Sequence, residues 1–281
     1  MKILPCTSDM SDLLSFVLPY EKLATGFVGH ILRGDSRFFL VRTDENVACD
    51  AFSFSDGGQI FHCLPDAYGE RRGELLRVLT EFLRVQKQHE FFNIIGEEKG
   101  TDLIKLAVQN ATGRTTRHDQ NYVLLEESAA KNAVACTEFD NIALVHCTPM
   151  MLDVLLPLQI AYEKEEVVWQ DDQLNENVTR LSFLHALKTQ QIFVLSKGGA
   201  YIAKAGTNAL GKKYAQLGGI YTVPSERGKG YADCLVRHVI TKLHEQGKRA
   251  VLFAKPENTS ALRLYETCGF KKIGRYEIAY F

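Results

Sequence analysis

Short apolar runs of period two alternate along the chain with longer stretches whose apolar positions recur every three or four residues, the pattern of strands interleaved with helices. Two stretches begin alike. Ile3-Leu4-Pro5-Cys6-Thr7 leads into a helical pattern with Asp12, Leu14 and Tyr20-Glu21-Lys22, and Leu144-Val145-His146-Cys147-Thr148 into one with Asp153, Leu155 and Tyr162-Glu163-Lys164. The offset is 141 residues, slipping by one at the second Tyr-Glu-Lys. In each copy a short strand ends at a Thr suited to cap a helix, and Pro149 stands at a first helical position, where a missing N–H costs nothing.

The same order of elements then follows in both halves. In the first, Arg37–Arg42, Val47–Phe54 and Gln59–Leu64 read as strands, and Leu75, Leu76, Leu79, Phe82 and Leu83 mark a helical face. Phe91–Ile95 is a buried strand, Thr101–Gln109 a helix and Tyr122–Leu125 a closing strand. In the second, Gln191–Leu195, Ala200–Lys204 and Ala215–Thr222 are strands, and Ala232, Leu235, Val236, Val239, Ile240 and Leu243 form one helical stripe stopped by Gly247. Ala250–Ala254 is a strand, Ser260–Thr267 a short helix, and Phe270–Phe281 a terminal strand pair. The polar stretch Glu126–Asn132 is the expected linker, and two α/β units in tandem are predicted.

Composition narrows the function classes. The 281 residues are 46% hydrophobic, enough for two domains of ordinary size. A net charge of -1 with interspersed signs offers no basic field, so nucleic acid is not an expected partner. Seven scattered cysteines without a C-x-x-C spacing argue against a disulfide framework or zinc, and read as thiols of a reducing cytosol; the eight histidines show no metal-ligand spacing. No signal peptide or apolar run of membrane-spanning length is present, which gives the expectation of a cytoplasmic protein without a membrane partner. Arg33-Gly34-Asp35-Ser36 is read as a turn.

The candidate chemistry lies between the last central strand and the long helix, in Pro224-Ser225-Glu226-Arg227-Gly228-Lys229-Gly230-Tyr231-Ala232. A strand that breaks at Pro, passes through glycines and opens a helix makes an anion cradle, because free N–H groups and the positive helix end converge. Gly228 and Gly230 let a phosphate reach the backbone, and Arg227 and Lys229 add charge. The dinucleotide pattern fails because Asp233 stands where its last glycine is needed, and no G-K-[ST] occurs.

Arg227, Gly230 and Ala232 fit Q/R-x-x-G-x-G/A, and Asn258, Ala261, Tyr265, Gly269 and Phe270 fit N-x-x-A-x-x-x-Y-x-x-x-G-F. Both are motifs of the GNAT superfamily of N-acetyltransferases, which the chain resembles over about Asn141–Phe281; the whole resembles bacterial proteins that join a degenerate GNAT-like half to an intact one. The resemblance implies two tandem α/β domains, 1–132 and 141–281, each a mixed, mostly antiparallel twisted sheet flanked by helices. It implies acetyl-CoA as cofactor, its pantetheine arm along Tyr221-Thr222-Val223, its pyrophosphate on Arg227 to Ala232, including Tyr231, and contacts at Asn258 and Tyr265. Main-chain N–H groups near Tyr221 or Thr222 would meet the oxyanion, and Tyr265 would protonate the leaving thiolate, as a phenol of pKa about 10 is able to. The acceptor implied is a small-molecule or peptide amine near Tyr162, Glu165 and Glu166, on a monomer or homodimer.

Two departures stand out. Many members carry a Glu eight residues before the loop proline, where this chain has Gln216, leaving the base to a water, an already neutral amine, Glu165 or Glu166. A non-catalytic acyl-CoA-binding or interaction module is therefore the alternative reading. In the first half the matching loop, Asp66–Gly73, fails the glycine pattern and sets Asp66, Glu70 and Glu74 against an anion.

Overall fold

In the computed structural model the described residues are 1–6, 10–85, 91–128, 139, 141–168 and 173–281. The first half runs β1 (Lys2–Cys6), α1 (Ser11–Val17), α2 (Thr25–Arg33), β2 (Ser36–Arg42), β3 (Ala48–Ser55), β4 (Gln59–Cys63), α3 (Arg72–Val85), β5 (Asn93–Glu97), α4 (Glu98–Thr112) and β6 (His118–Glu127). The second runs β7 (Ile142–His146), α5 (Leu152–Glu166), α6 (Glu176–Thr189), β8 (Ile192–Lys197), β9 (Ala200–Leu210), β10 (Tyr214–Thr222), α7 (Tyr231–Glu245), β11 (Arg249–Ala254), α8 (Thr259–Thr267) and β12 (Phe270–Tyr280). The halves match element for element, each with a 3-10 turn before its long helix, Pro65–Tyr68 ahead of α3 and Pro224–Glu226 ahead of α7.

Strand periodicity explains the layering. On β8, Phe193 and Leu195 pack with Leu235 and Val239 of α7, while the alternate Ile192 and Val194 pack with Leu155 of α5 and Phe183 of α6. Successive side chains point to opposite faces, so a continuous apolar run is covered on both. Burying one such Leu or Ile side chain stabilises by about 1.5–3 kcal/mol. Helix α7 stops where Gly247 takes φ 69° and Lys248 donates back to the Leu243 carbonyl at 2.9 Å. No helix among the described residues is long and apolar enough to cross a membrane.

Four readings need correction or placement. Helices α2 and α6 were not foreseen, although Phe27, Val28 and Ile31, and Thr179, Phe183 and Leu187, carry the helical spacing. Thr148 makes no capping bond; Pro149 opens a 3-10 turn and α5 follows it. Of the expected linker, Glu126 and Glu127 belong to β6 instead, while residues 129–132, like Thr7 and Cys136, lie outside the described residues. The expected terminal strand pair is one strand, β12, because Gly274 sits at a register shift against β6 and makes no turn.

All strands among the described residues join one twelve-stranded sheet in the order β1-β2-β3-β4-β5-β12-β6-β11-β10-β9-β8-β7. Pairing is antiparallel except for β4 with β5 and β10 with β11. Pro5 lies in β1, at one edge of the sheet, where no ladder donor is lost. At the centre the two halves exchange their last strands. β12 pairs with β5 of the first half (Ile278 opposite Ile95), and β6 pairs with β11 of the second (Leu124 opposite Phe253). Charges follow the exchange: Lys105 of α4 binds Glu277 at 2.6 Å, while Arg249 binds Glu126 and His244 binds Glu127, each at 2.9 Å. Glu21, buried in the first half, accepts the N–H groups of Lys213 and Tyr214 at 2.8 and 3.1 Å.

Candidate active site

β10 and β11 pair from Tyr214 to Leu217 and then part, while β10 runs on to Thr222. Between Gly218 and Tyr221 its register against β9 shifts, and Gly219 takes φ 60°, a left-handed conformation that a side chain would strain. The parting opens a cleft of about 760 Å³ between the two strands, closed by the start of α7, the end of α5 and α8. Tyr122 of β6 and Ile278 and Tyr280 of β12 also line it, so both exchanged strands reach the site.

One end is built for an anion. Gly228 and Gly230 adopt φ 74° and 83°, and α7 starts at Tyr231 with no side-chain cap, which leaves its first N–H groups free. A Cβ added at Gly228 would meet nothing, so the approach is open. The Thr222 hydroxyl oxygen is buried with no hydrogen-bond partner among the described residues. Arg227 donates to the Thr222 carbonyl at 2.9 Å and to Glu165 at 2.7 Å, with its guanidinium 5.5 Å from the centre of the Tyr221 ring. These groups fit a pyrophosphate and its pantetheine arm. Tyr221, Thr222, Arg227, Gly228, Gly230, Tyr231, Ala232 and Asn258 all line the cleft. Val223 and Lys229 do not: the Val223 N–H goes to the Ile202 carbonyl at 2.9 Å, and Lys229 binds Glu226 at 2.9 Å and the Ser225 carbonyl at 3.1 Å. Asn258 is the N-cap of α8, its Oδ1 accepting from Ala261 N–H at 3.1 Å.

At the other end the cleft is rich in tyrosine. Tyr265, 7% exposed, has its pKa raised by burial first and then by Tyr162 and Glu166, so its phenol keeps its proton at neutral pH. Tyr162 is pushed up to about 12 by burial, then by Glu166 and Glu163, while the Gly219 N–H donated to its oxygen pulls the other way. Neither α5 carboxylate is unpartnered. Glu165 is held below its ordinary pKa chiefly by Arg227, and Glu166 lies 3.6 Å from Lys255, which also donates to its carbonyl at 2.8 Å. Gln216 is buried outside the cleft, in register with Val251 on one side and Ala209 on the other.

Sequence reasoning missed Tyr122, Tyr280 and Lys204. The first two reach the cleft only through the strand exchange, and a lone Lys in a strand reads as solvated. The first half's equivalent turn is filled from within: Asp66 donates its N–H to Asp50 at 3.0 Å, and Arg71 pairs with Asp66 at 3.0 Å. Burial first and then Asp66 push Asp50 up to about 8.

These features define two GNAT-type folds in tandem, and the comparisons agree. Residues 199–279 match the model of the family described as FR47-like protein. Across the whole chain the fold is similar to a GNAT-family acetyltransferase of Colwellia psychrerythraea (14% identity, 100% of each chain covered, TM-score 0.59). It is also similar to a tandem GNAT protein of the clavulanic acid biosynthesis pathway (12% identity, 99% of this chain and 98% of that one, TM-score 0.59). A Drosophila protein aligns over the same shares at 12% identity with a TM-score of 0.69. No curated protein matches the sequence.

Proposed function

We propose that this chain is an acetyl-CoA-dependent N-acyltransferase that moves an acetyl group to a primary amine by direct attack within a ternary complex. The observation that carries the proposal is a single cleft with a helix-start anion cradle at one end and a strand bulge with two tyrosines at the other. In this reading Arg227, Gly228, Gly230, Tyr231 and Ala232 hold the pyrophosphate, and main-chain N–H groups near Tyr221 or Thr222 face the thioester carbonyl. The amine nitrogen bonds to that carbon, the C–S bond breaks, Tyr265 gives its proton to the departing sulfur, and the amine's proton passes to water. Gln216, an amide buried outside the cleft, takes no proton. The division into 1–132 and 141–281 follows the repeat and belongs to this proposal, with the intact cradle in the second unit and none in the first. The exchanged β6 then lets the first unit contribute Tyr122 to the site.

A second reading, a module that binds acyl-CoA without turnover, is favoured by Gln216 alone. Thiol release from acetyl-CoA across a panel of primary amines separates the two: amine-dependent release above background supports transfer, and tight binding with no release for any amine supports the module.

A further inference from the structure

Lys204 lies on β9 with only 5% of its surface exposed, yet it has no carboxylate within ion-pair distance among the described residues. Its ammonium donates to Gln159 Oε1 of α5 at 2.6 Å. It sits 3.9 Å from the centre of the Tyr162 ring and 5.9 Å from that of Phe183 on α6. A Cβ added at Gly219 would come within 3.2 Å of it, so the charge abuts the bulge that walls the cleft. The titratable groups facing it are Glu163 and Tyr162 of α5 and Cys147, the residue after β7. Glu163 is engaged elsewhere, accepting from Gln159 at 2.8 Å and from Thr179 at 2.5 Å. An ammonium buried against neutral partners is costly to the fold, while its field in such surroundings is weakly screened.

We propose that Lys204 is a positioning residue: from behind Tyr162 and the Gly219 bulge its ammonium fixes the phenol and supplies positive charge toward the oxygen of a thioester carbonyl in the cleft. Tyr162 joins the two roles, its ring centre 3.9 Å from the cation and its side of the cleft shared with Gly219. Charge fixed before reaction costs no reorganisation as the oxyanion develops, which is why it favours the transition state over the bound thioester. This inference rests on the acyl-transfer reading above.

The test uses full-length protein, Lys204→Met, which replaces the stem by an apolar one of similar length, and Lys204→Gln, which keeps a donor without charge. Acetyl-CoA bearing a carbon-13 carbonyl is bound to each at about pH 6, where Lys204 carries its proton, the affinity measured by calorimetry and the carbonyl stretch by difference infrared spectroscopy. The expected result is wild-type affinity within about threefold, a carbonyl stretch at lower frequency in wild type than in either variant, and hydroxylamine-dependent thiol release slowed roughly 10²-fold. Equal frequencies in folded, acetyl-CoA-bound variants would overturn the role of Lys204 and leave the acyl-transfer reading intact. Loss of affinity as large as the loss of turnover would make Lys204 a binding or packing group, also against the proposal. Failure of the wild type itself to bind acetyl-CoA would instead overturn the acyl-transfer reading.

Discussion

Tyr265, lining the cleft, and Lys204, behind the Gly219 bulge, have opposite electrostatic problems. Burial raises the phenol's pKa, keeping it a proton donor, and lowers that of Lys204 to about 7, with Glu163 and then Cys147 acting the other way. Tyr265→Phe preserves the ring's packing beside Phe270 and removes the proton, so turnover should fall roughly 10²-fold while acetyl-CoA affinity holds. A variant within about twofold of wild type would show that the thiolate leaves without this acid. For Lys204 the folded pKa lies below the unfolded value of about 10.4, so between those pH values the unfolded chain binds more protons and stability rises with pH. Relative to Lys204→Met, the wild type should therefore gain on the order of 3 kcal/mol from about pH 7 to about pH 10, read as a converging pair of melting temperatures. Parallel curves would contradict it. Glu165 is ion-paired at 2.7 Å to Arg227, the cation that the proposed reading assigns to the pyrophosphate. Both side chains are well exposed, so Glu165→Gln should tighten acetyl-CoA only about twofold to fivefold, and weakened binding would be the contrary calorimetric result.

The elements show why part of the structure was legible in the sequence. The α7 stripe, the Pro224 break and the glycines at 228 and 230 are local signals, and the residues they single out line one cleft together with Tyr265. The exchange of β6 and β12 is not local. Both strands alternate in a way that suits either neighbour, and only pairing between distant segments, with Lys105 meeting Glu277 and His244 meeting Glu127, decides which half each completes. Tyr122 and Tyr280 were invisible as site residues for that reason, as was Lys204, whose burial depends on α5 and α6 packing over β9. The exchange carries its own prediction. A fragment of residues 141–281 lacks β6 and exposes the edge of β11, so it should self-associate or fail to fold. Sedimentation showing a folded monomer that binds acetyl-CoA as the full chain does would contradict that.

At the scale of the molecule, the two halves repeat the same order of elements and differ at the loop before the long helix. The second half leaves its loop open, and the first fills the equivalent turn with Asp50, Asp66 and Arg71. The continuous sheet ties the halves into one body, with the first half's closing strand lining the second half's cleft. Calorimetric titration of the full-length protein with acetyl-CoA tests the central claim most directly. The account predicts one site per chain, abolished by Gly230→Glu, which sets a side chain and a negative charge where the backbone must approach pyrophosphate. Absence of binding to the wild type, two sites per chain, or unchanged affinity in Gly230→Glu would contradict it.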